Sequence, residues 1–130
     1  MEWREDFSVH VPGIDQDHRI LVARATEIEQ AVAEGRGASL VHGAIREFIQ
    51  LARRHFNREV DWMRIRDYPG IGPHIQDHKA FLAKLGALEA ESLAGPLTHE
   101  AVAFLPAWFE QHLLSYDKQY ASYASAAGKL

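Results

Sequence analysis

Apolar residues recur at spacings of three and four along most of the chain, which predicts amphipathic α-helices. Segments rich in glycine and proline interrupt this pattern at 35–37, 68–73 and 95–96. The predicted helices are residues 15–34, 39–66, 73–93 and 98–124. Alternating strand patterns are scarce. Four such helices with short connections predict an all-α, antiparallel up-down-up-down four-helix bundle.

Proline and capping residues refine this prediction at the helix ends. Residues 1–14 contain Pro12 and are predicted to form an N-terminal arm, so that residues 1–130 make one domain. Asp15 and Thr98 can cap the first and fourth helices, because their side chains can accept hydrogen bonds from first-turn N–H groups. Pro106 lies inside the fourth helix, where it cannot donate to the carbonyl of Val102 and predicts a kink.

Composition excludes several classes of protein. The chain has 130 residues, with 14 Lys and Arg against 18 Asp and Glu, and this formal net charge of −4 argues against a nucleic-acid partner. The absence of cysteine excludes disulfides, thiolate metal sites and a cysteine nucleophile. No apolar run approaches the ~20 residues that cross a bilayer. We therefore expect a cytoplasmic monomer without membrane insertion.

Polar residues interrupt the predicted apolar faces of all four helices. They are His18, His55, Glu59, His74, His78 and His112. An unpaired polar group in a protein core costs about 1–3 kcal/mol, and a bare carboxylate costs far more. A bound metal would satisfy many of these groups together.

The spacing of these residues along the helices decides which of them can converge. His55 and Glu59 are four residues apart, as are His74 and His78, so each pair shares one helix face. Asp117 follows His112 by five residues, a step that turns about 140° around an α-helix. Spacing alone therefore does not pair His112 with Asp117.

The predicted topology places all seven groups at one end of the bundle. A lone histidine on an apolar face is more often a satisfied core residue than a ligand, but five histidines and two carboxylates at one level favour a metal site. They exceed the ligands of one tetrahedral zinc, suit two metals bridged by carboxylates, and provide N/O ligation that fits iron. The sequence lacks the Glu-x-x-His and His-Glu-x-x-His motifs of ferritin-like and metalloprotease sites.

This ordered set of residues resembles the hemerythrin family, in particular its single-domain bacterial members, the bacteriohemerythrins. The resemblance runs from Trp3 to Tyr120. It is carried by the segments Val11–His18, His55–Glu59, His74–Phe81 and Trp108–Asp117.

The resemblance implies two non-haem iron ions, Fe²⁺ or Fe³⁺, with an oxo or hydroxo bridge. By the family pattern, one iron is held by His74, His78 and His112, the other by His18 and His55, and both are bridged by Glu59 and Asp117. The second iron then keeps one open position, where dioxygen binds reversibly. This implies oxygen storage, delivery or buffering, with no catalytic residues.

The family pattern also implies an apolar pocket around the open position. Its residues here are Leu21, Phe56, Trp108, Phe109 and Leu113. Such a pocket admits O₂ and slows the entry of water and acids, and the same side chains also fill the core. Ser115 and Tyr116 bring hydroxyl groups close to the ligands of the fourth helix.

Two other functions remain open at this stage. The domain could be an oxygen or redox sensor module, for which Trp3 and Phe7 of the arm offer a contact surface unless they pack on the bundle. It could also be a di-iron redox enzyme, such as a peroxidase, an oxidase or a nitric-oxide-handling protein. The expected partners are dioxygen and, for a carrier, an unidentified protein that accepts the oxygen.

Overall fold

The computed structural model describes residues 2–128, and within that range it contains helices and no β-strand. Three long helices come first: α1 is Pro12–Ala33, α2 is Ala38–Ile65 and α3 is Ile71–Ala94. The predicted all-α class and four-helix bundle are confirmed. The ends of the predicted domain, residues 1, 129 and 130, lie outside the described residues.

The fourth helical segment of the bundle is divided into four pieces. They are α4 (His99–Val102), α5 (Phe104–His112), a π-helical turn (Leu113–Asp117) and α6 (Lys118–Ala126). The kink expected at Pro106 takes the form of an interruption after Val102, whose carbonyl is the one that Pro106 cannot bond. The Thr98 side chain accepts a hydrogen bond from the Ala101 N–H at 3.2 Å, which confirms that cap.

The first helix begins earlier than predicted. α1 starts at Pro12, because proline at the first helical position loses no intrahelical hydrogen bond and has a helical φ. The expected cap at Asp15 is wrong, since this side chain is buried and accepts hydrogen bonds from the Val9 N–H at 2.8 Å and the Ser8 hydroxyl at 2.6 Å. These bonds hold the arm, which contains the 3₁₀-helix Glu5–Phe7, against the bundle.

Two apolar clusters occupy the interior, with a polar layer between them. The larger cluster includes Leu21 of α1 and Phe56 of α2, and the smaller one includes Ile14 of α1 and Met63 of α2. On α1, His18 lies between Ile14 and Leu21, and on α2, His55 and Glu59 lie between Ala52 of the larger cluster and Met63 of the smaller one. None of the helices within residues 2–128 combines the length and the apolar character needed to cross a membrane.

Candidate metal centre

The predicted ligand residues meet in this polar layer. All seven side chains are buried, with at most 3% of each residue exposed: His18, His55, Glu59, His74, His78, His112 and Asp117. They come from α1, α2, α3, α5 and the π-helical turn. These side chains therefore lie at one height along the bundle, as the antiparallel topology predicted.

The two oxygens of Glu59 face different histidines. Oε1 lies 2.9 Å from Nε2 of both His74 and His78. Oε2 lies 3.2 Å from Nε2 of both His18 and His55. We call His74, His78 and His112 the three-histidine group, and His18 and His55 the two-histidine group. Glu59 thus presents one oxygen to each group.

Asp117 divides its oxygens in the same way. Oδ1 lies 3.0 Å from Nε2 of His74 and 2.8 Å from Nε2 of His112. Oδ2 lies 3.1 Å from Nε2 of His18. Two buried carboxylates that each join both histidine groups form the arrangement expected of bridging ligands.

The π-helical turn explains why His112 and Asp117 converge despite a spacing of five residues. In a π-helix the hydrogen bond joins residues i and i+5, so residues five apart stack as residues four apart do in an α-helix. In a regular α-helix, residues five apart do not share a face, which is why spacing alone did not pair these two residues. A local change of helix type removes this mismatch, and π turns of this kind are frequent at functional sites.

Two aspartates outside the predicted ligand set orient two of the predicted ligand imidazoles. His55 Nδ1 donates to Asp17 Oδ2 at 3.0 Å, and His112 Nδ1 donates to Asp77 Oδ2 at 2.5 Å. A hydrogen bond at Nδ1 fixes the tautomer and leaves Nε2 available as a ligand atom. Arg58 contacts both Asp17 oxygens at 2.8 Å and keeps this carboxylate in place.

A signal for these aspartates is present in the sequence. The tripeptide Gln-Asp-His occurs twice, at 16–18 and at 76–78. In each copy the histidine belongs to the centre, while the aspartate orients a histidine on a different helix. The repeat could therefore have identified both aspartates, although not the histidines that they contact.

Tyr120 is a further buried group at the centre that sequence reasoning missed. Its side chain is fully buried, and its hydroxyl donates to Glu59 Oε2 at 3.0 Å. The ring of His74 lies 5.3 Å from the Tyr120 ring, centroid to centroid. Tyr120 follows Asp117 by three residues, a spacing that places both side chains on one face of a helix and offered a weak signal.

The predicted pocket residues occupy different places around the centre. Phe56 stacks on His78 with ring centroids 3.9 Å apart, and it also lies 5.7 Å from the His55 ring. Trp108, which is half-buried, stacks on His112 at 4.3 Å and thus lies on the side of the three-histidine group.

The other three predicted pocket residues are buried in the larger apolar cluster. Leu21 also lines a surface cleft beside His55, and Leu113 begins the π-helical turn. Within residues 2–128, Phe109 makes ring contacts with Phe48, Phe81 and Trp108 and with no ligand histidine. Of the two hydroxyl residues, Ser115 is half-buried, and the Tyr116 ring stacks on His112 at 5.6 Å.

Without a metal, the carboxylates raise the pKa of His18, His74 and His112. Burial lowers the pKa of His18, but the charges of Asp117 and Glu59 and the hydrogen bonds to them outweigh burial and raise this pKa to about 9. Burial raises the pKa of Glu59, but His55, His112 and His18 hold it well below its usual value. A cation bound at the centre would displace these imidazole protons, so its affinity depends on pH.

The positions of these nitrogen and oxygen atoms suit metal coordination better than hydrogen bonds between the side chains. Nε2 of His112 and both oxygens of Asp117 are buried without a directed hydrogen bond within residues 2–128, although Oδ1 is only 2.8 Å from Nε2. Short contacts without hydrogen-bond direction are expected when lone pairs converge on a third atom. Two sets can each surround a cation with ligand atoms within 4.8 Å of one another, namely His18, His55 and Glu59, and Glu59 with the three-histidine group.

Comparison with known proteins agrees with this geometry. Residues 9–124 match the family model described as the hemerythrin HHE cation binding domain. The chain is 30% identical to myohemerythrin-1 of Phascolopsis gouldii over 118 residues, which cover 91% of this chain and 89% of the relative. It is 26% identical to a bacteriohemerythrin of Ralstonia nicotianae over 98% of this chain and 91% of the relative. The family match covers most of the chain and includes every residue of the polar layer, and we conclude that this protein belongs to the hemerythrin family.

Proposed function

We propose that this protein binds dioxygen reversibly at a pair of non-haem irons held by the seven residues of the polar layer. The observation that carries this proposal is the way Glu59 and Asp117 divide their oxygens between the two histidine groups. A carboxylate placed in this way holds two cations side by side. Membership of the hemerythrin family supports the same function.

The distribution of imidazoles makes the two halves of the centre unequal. The three-histidine group provides His74, His78 and His112 for one iron, and the two-histidine group provides His18 and His55 for the other. Glu59 and Asp117 serve both. An iron held on the two-histidine side would therefore have one protein ligand fewer, and this side would keep room for a ligand from outside.

Irons bound there would supply the electrons for reversible binding of dioxygen. The protein holds the ligand atoms in place through its outer hydrogen bonds. Asp17 and Asp77 fix the rings of His55 and His112, and the Tyr120 hydroxyl fixes one oxygen of Glu59. Such outer partners control ligand orientation and metal affinity.

Apolar side chains limit access to the centre. Leu21, Phe56 and Leu113 are almost fully buried, and Phe56 and Trp108 cover the faces of His78 and His112. Exclusion of water and external acids slows the loss of reduced oxygen, which would leave both irons ferric. Tyr120, a buried titratable group that contacts Glu59, is already engaged in a hydrogen bond, which favours a carrier over an acid–base catalyst.

Anaerobic loading followed by oxygenation tests this function. The metal-free chain is loaded with ferrous iron without oxygen, the iron is counted, and air is admitted while the visible spectrum is recorded. We expect two irons per chain and a coloured form that bleaches when oxygen is removed. Fewer than two irons would contradict the proposed centre, and immediate irreversible oxidation would indicate a redox enzyme instead of a carrier.

A further inference from the structure

A surface cleft between α1 and α2 opens towards the two-histidine side. This His55 cleft has a volume of about 120 Å³, and its lining residues include Asp17, Leu21, Leu51, Arg54, His55 and Arg58. It brings solvent close to a ligand imidazole on the side that has fewer protein ligands. The proposed function as described above assigns no role to this cleft.

The rim of the His55 cleft carries positive charge. Arg58 is neutralised by Asp17, which it contacts at 2.8 Å. Arg54 is exposed and forms no ion pair with any of residues 2–128. The rim therefore has one uncompensated cation, although the whole chain has a formal net charge of −4.

The floor of the His55 cleft is apolar and narrow. Leu21 and His55 are only 1% and 3% exposed, and Leu51 is half-buried. Passage from the cleft to the centre would require a rotation of floor side chains such as Leu21 and Leu51, a kind of movement that occurs in folded proteins. A small ligand fits this route, whereas a large one does not.

A second cleft opens on the opposite side of the centre. This His112 cleft, of about 180 Å³, is lined by residues that include Lys84, Trp108, His112 and Tyr116. It leads to the three-histidine group, where Trp108 and Tyr116 both stack on the His112 ring. Aromatic rings thus cover the His112 imidazole at the floor of this cleft. The three-histidine side also has the larger number of predicted protein ligands.

We propose that the His55 cleft is the entry route to the centre and that Arg54 draws small inorganic anions into it. This inference rests on the proposed function, because it requires metal ions that accept a ligand on the two-histidine side. Dioxygen is neutral and enters the same cleft without electrostatic help. Arg54 thereby determines how strongly anions compete with oxygen for the centre.

The physical basis is electrostatic steering. A charge near a cleft mouth changes the local concentration of a small ion, and one elementary charge at a distance of several ångströms in water changes its encounter rate about threefold. The effect decreases with ionic strength, since a Debye length of about 10 Å at 0.1 M salt falls to about 3 Å at 1 M. A neutral ligand shows neither effect.

Azide and dioxygen are suitable probes. The chain and its variants are loaded with iron, and azide association with the ferric form is followed by stopped-flow absorbance at low and high salt. We expect Arg54→Gln to slow azide association about threefold at low salt and Arg54→Glu to slow it about tenfold. Both differences should shrink at high salt, and neither variant should change the association rate of dioxygen with the ferrous form.

Lys84→Gln is the matched control, because Lys84 is an exposed cation on the rim of the His112 cleft. It should leave the azide rate unchanged. A second measurement uses chains loaded with cobalt(II), in which azide binding is read from the visible spectrum without redox chemistry. The same order of azide rates among the variants is expected there.

Several results would overturn the inference. Azide rates that are independent of Arg54 would do so, as would a slower rate in Lys84→Gln, which would place entry at the His112 cleft. Equal slowing of azide and oxygen in the Arg54 variants would show that Arg54 shapes the cleft without steering ions. If two irons bind and oxygenation is reversible, these results leave the proposed function intact, whereas failure to bind two metals defeats both.

Discussion

Asp117 follows His112 by five residues, yet its Oδ1 atom lies 2.8 Å from Nε2 of His112 because a π-helical turn begins directly after the histidine. The extra residue in this turn places both side chains on the inner face of the fourth helical segment. It also determines the orientation of α6, so that the Tyr120 hydroxyl lies 3.0 Å from Glu59 Oε2. One local change of helix type thus positions two groups of the centre.

Removal of Glu59 should abolish metal binding. In Glu59→Ala both histidine groups lose their shared carboxylate, so we expect almost no retained iron, measured as metal per chain after desalting. The helical content should persist by circular dichroism, because the two apolar clusters remain. His55→Ala should behave in the same way.

His99→Ala is the control for these variants, since His99 is exposed at the start of α4 and far along the chain from the polar layer. It should retain a full iron content. Normal iron content in Glu59→Ala or His55→Ala would disprove the ligand assignment.

Asp77 should act on metal affinity through His112. In Asp77→Asn the partner of His112 Nδ1 loses its charge, and the loss of such outer carboxylates typically weakens metal binding about 10–100-fold. Competition with a chelator at fixed pH measures this change. Asp61→Asn, an exposed aspartate on α2, is the matched control, and equal affinities in the two variants would show that the bond to Asp77 has no role.

Trp108 should protect the oxygenated form without holding metal. Its indole covers His112 and stacks on Phe81 at 3.8 Å, so Trp108→Ala opens the His112 cleft to water. We expect full iron content and faster autoxidation, followed by the decay of the visible band in air. Trp3→Ala removes a half-buried tryptophan of the arm and should not change this decay. An unchanged rate in Trp108→Ala would refute the exclusion of water by this side chain.

The stability of the metal-free chain should decrease at alkaline pH. The pKa of His18 is raised to about 9 in the folded chain, against about 6.5 when unfolded. Protonated His18 therefore stabilises the metal-free fold by on the order of 3 kcal/mol below pH 6.5, and this contribution is lost as the pH rises through about 9. Urea denaturation at pH 6 and pH 10 measures the difference.

The metal-loaded chain provides the comparison for this experiment. A ligand imidazole carries no proton at Nε2, so metal-loaded chains should not lose stability over the same pH range. A metal-free chain that is as stable at pH 10 as at pH 6 would contradict the interaction of His18 with Asp117 and Glu59.

The fold and part of the candidate ligand set were predictable from periodicity, whereas the inclusion of Asp117 came from the family resemblance. Apolar spacing predicted three helices to within a few residues, and the same spacing put His55 with Glu59 and His74 with His78. Features that depend on tertiary contacts were not predictable in this way. The bond of Asp77 to His112 joins residues 35 positions apart, and periodicity contains no information about it.

The remaining differences have local physical causes. α1 begins at Pro12 because proline favours the first helical position, which frees Asp15 to hold Ser8 and Val9. The π-helical turn was missed because a five-residue spacing has no meaning in a regular α-helix. Its only trace in the sequence is that His112 and Asp117 do not fit one α-helical face.

Anomalous diffraction from crystals of the iron-loaded chain tests the central claim most directly. Data collected on both sides of the iron absorption edge locate each iron independently of the protein phases. We predict two peaks roughly 3.5 Å apart, both within ligand distance of Glu59 and Asp117, with the three-histidine group around one and the two-histidine group around the other. A single peak, or two peaks that do not share Glu59 and Asp117, would contradict the account.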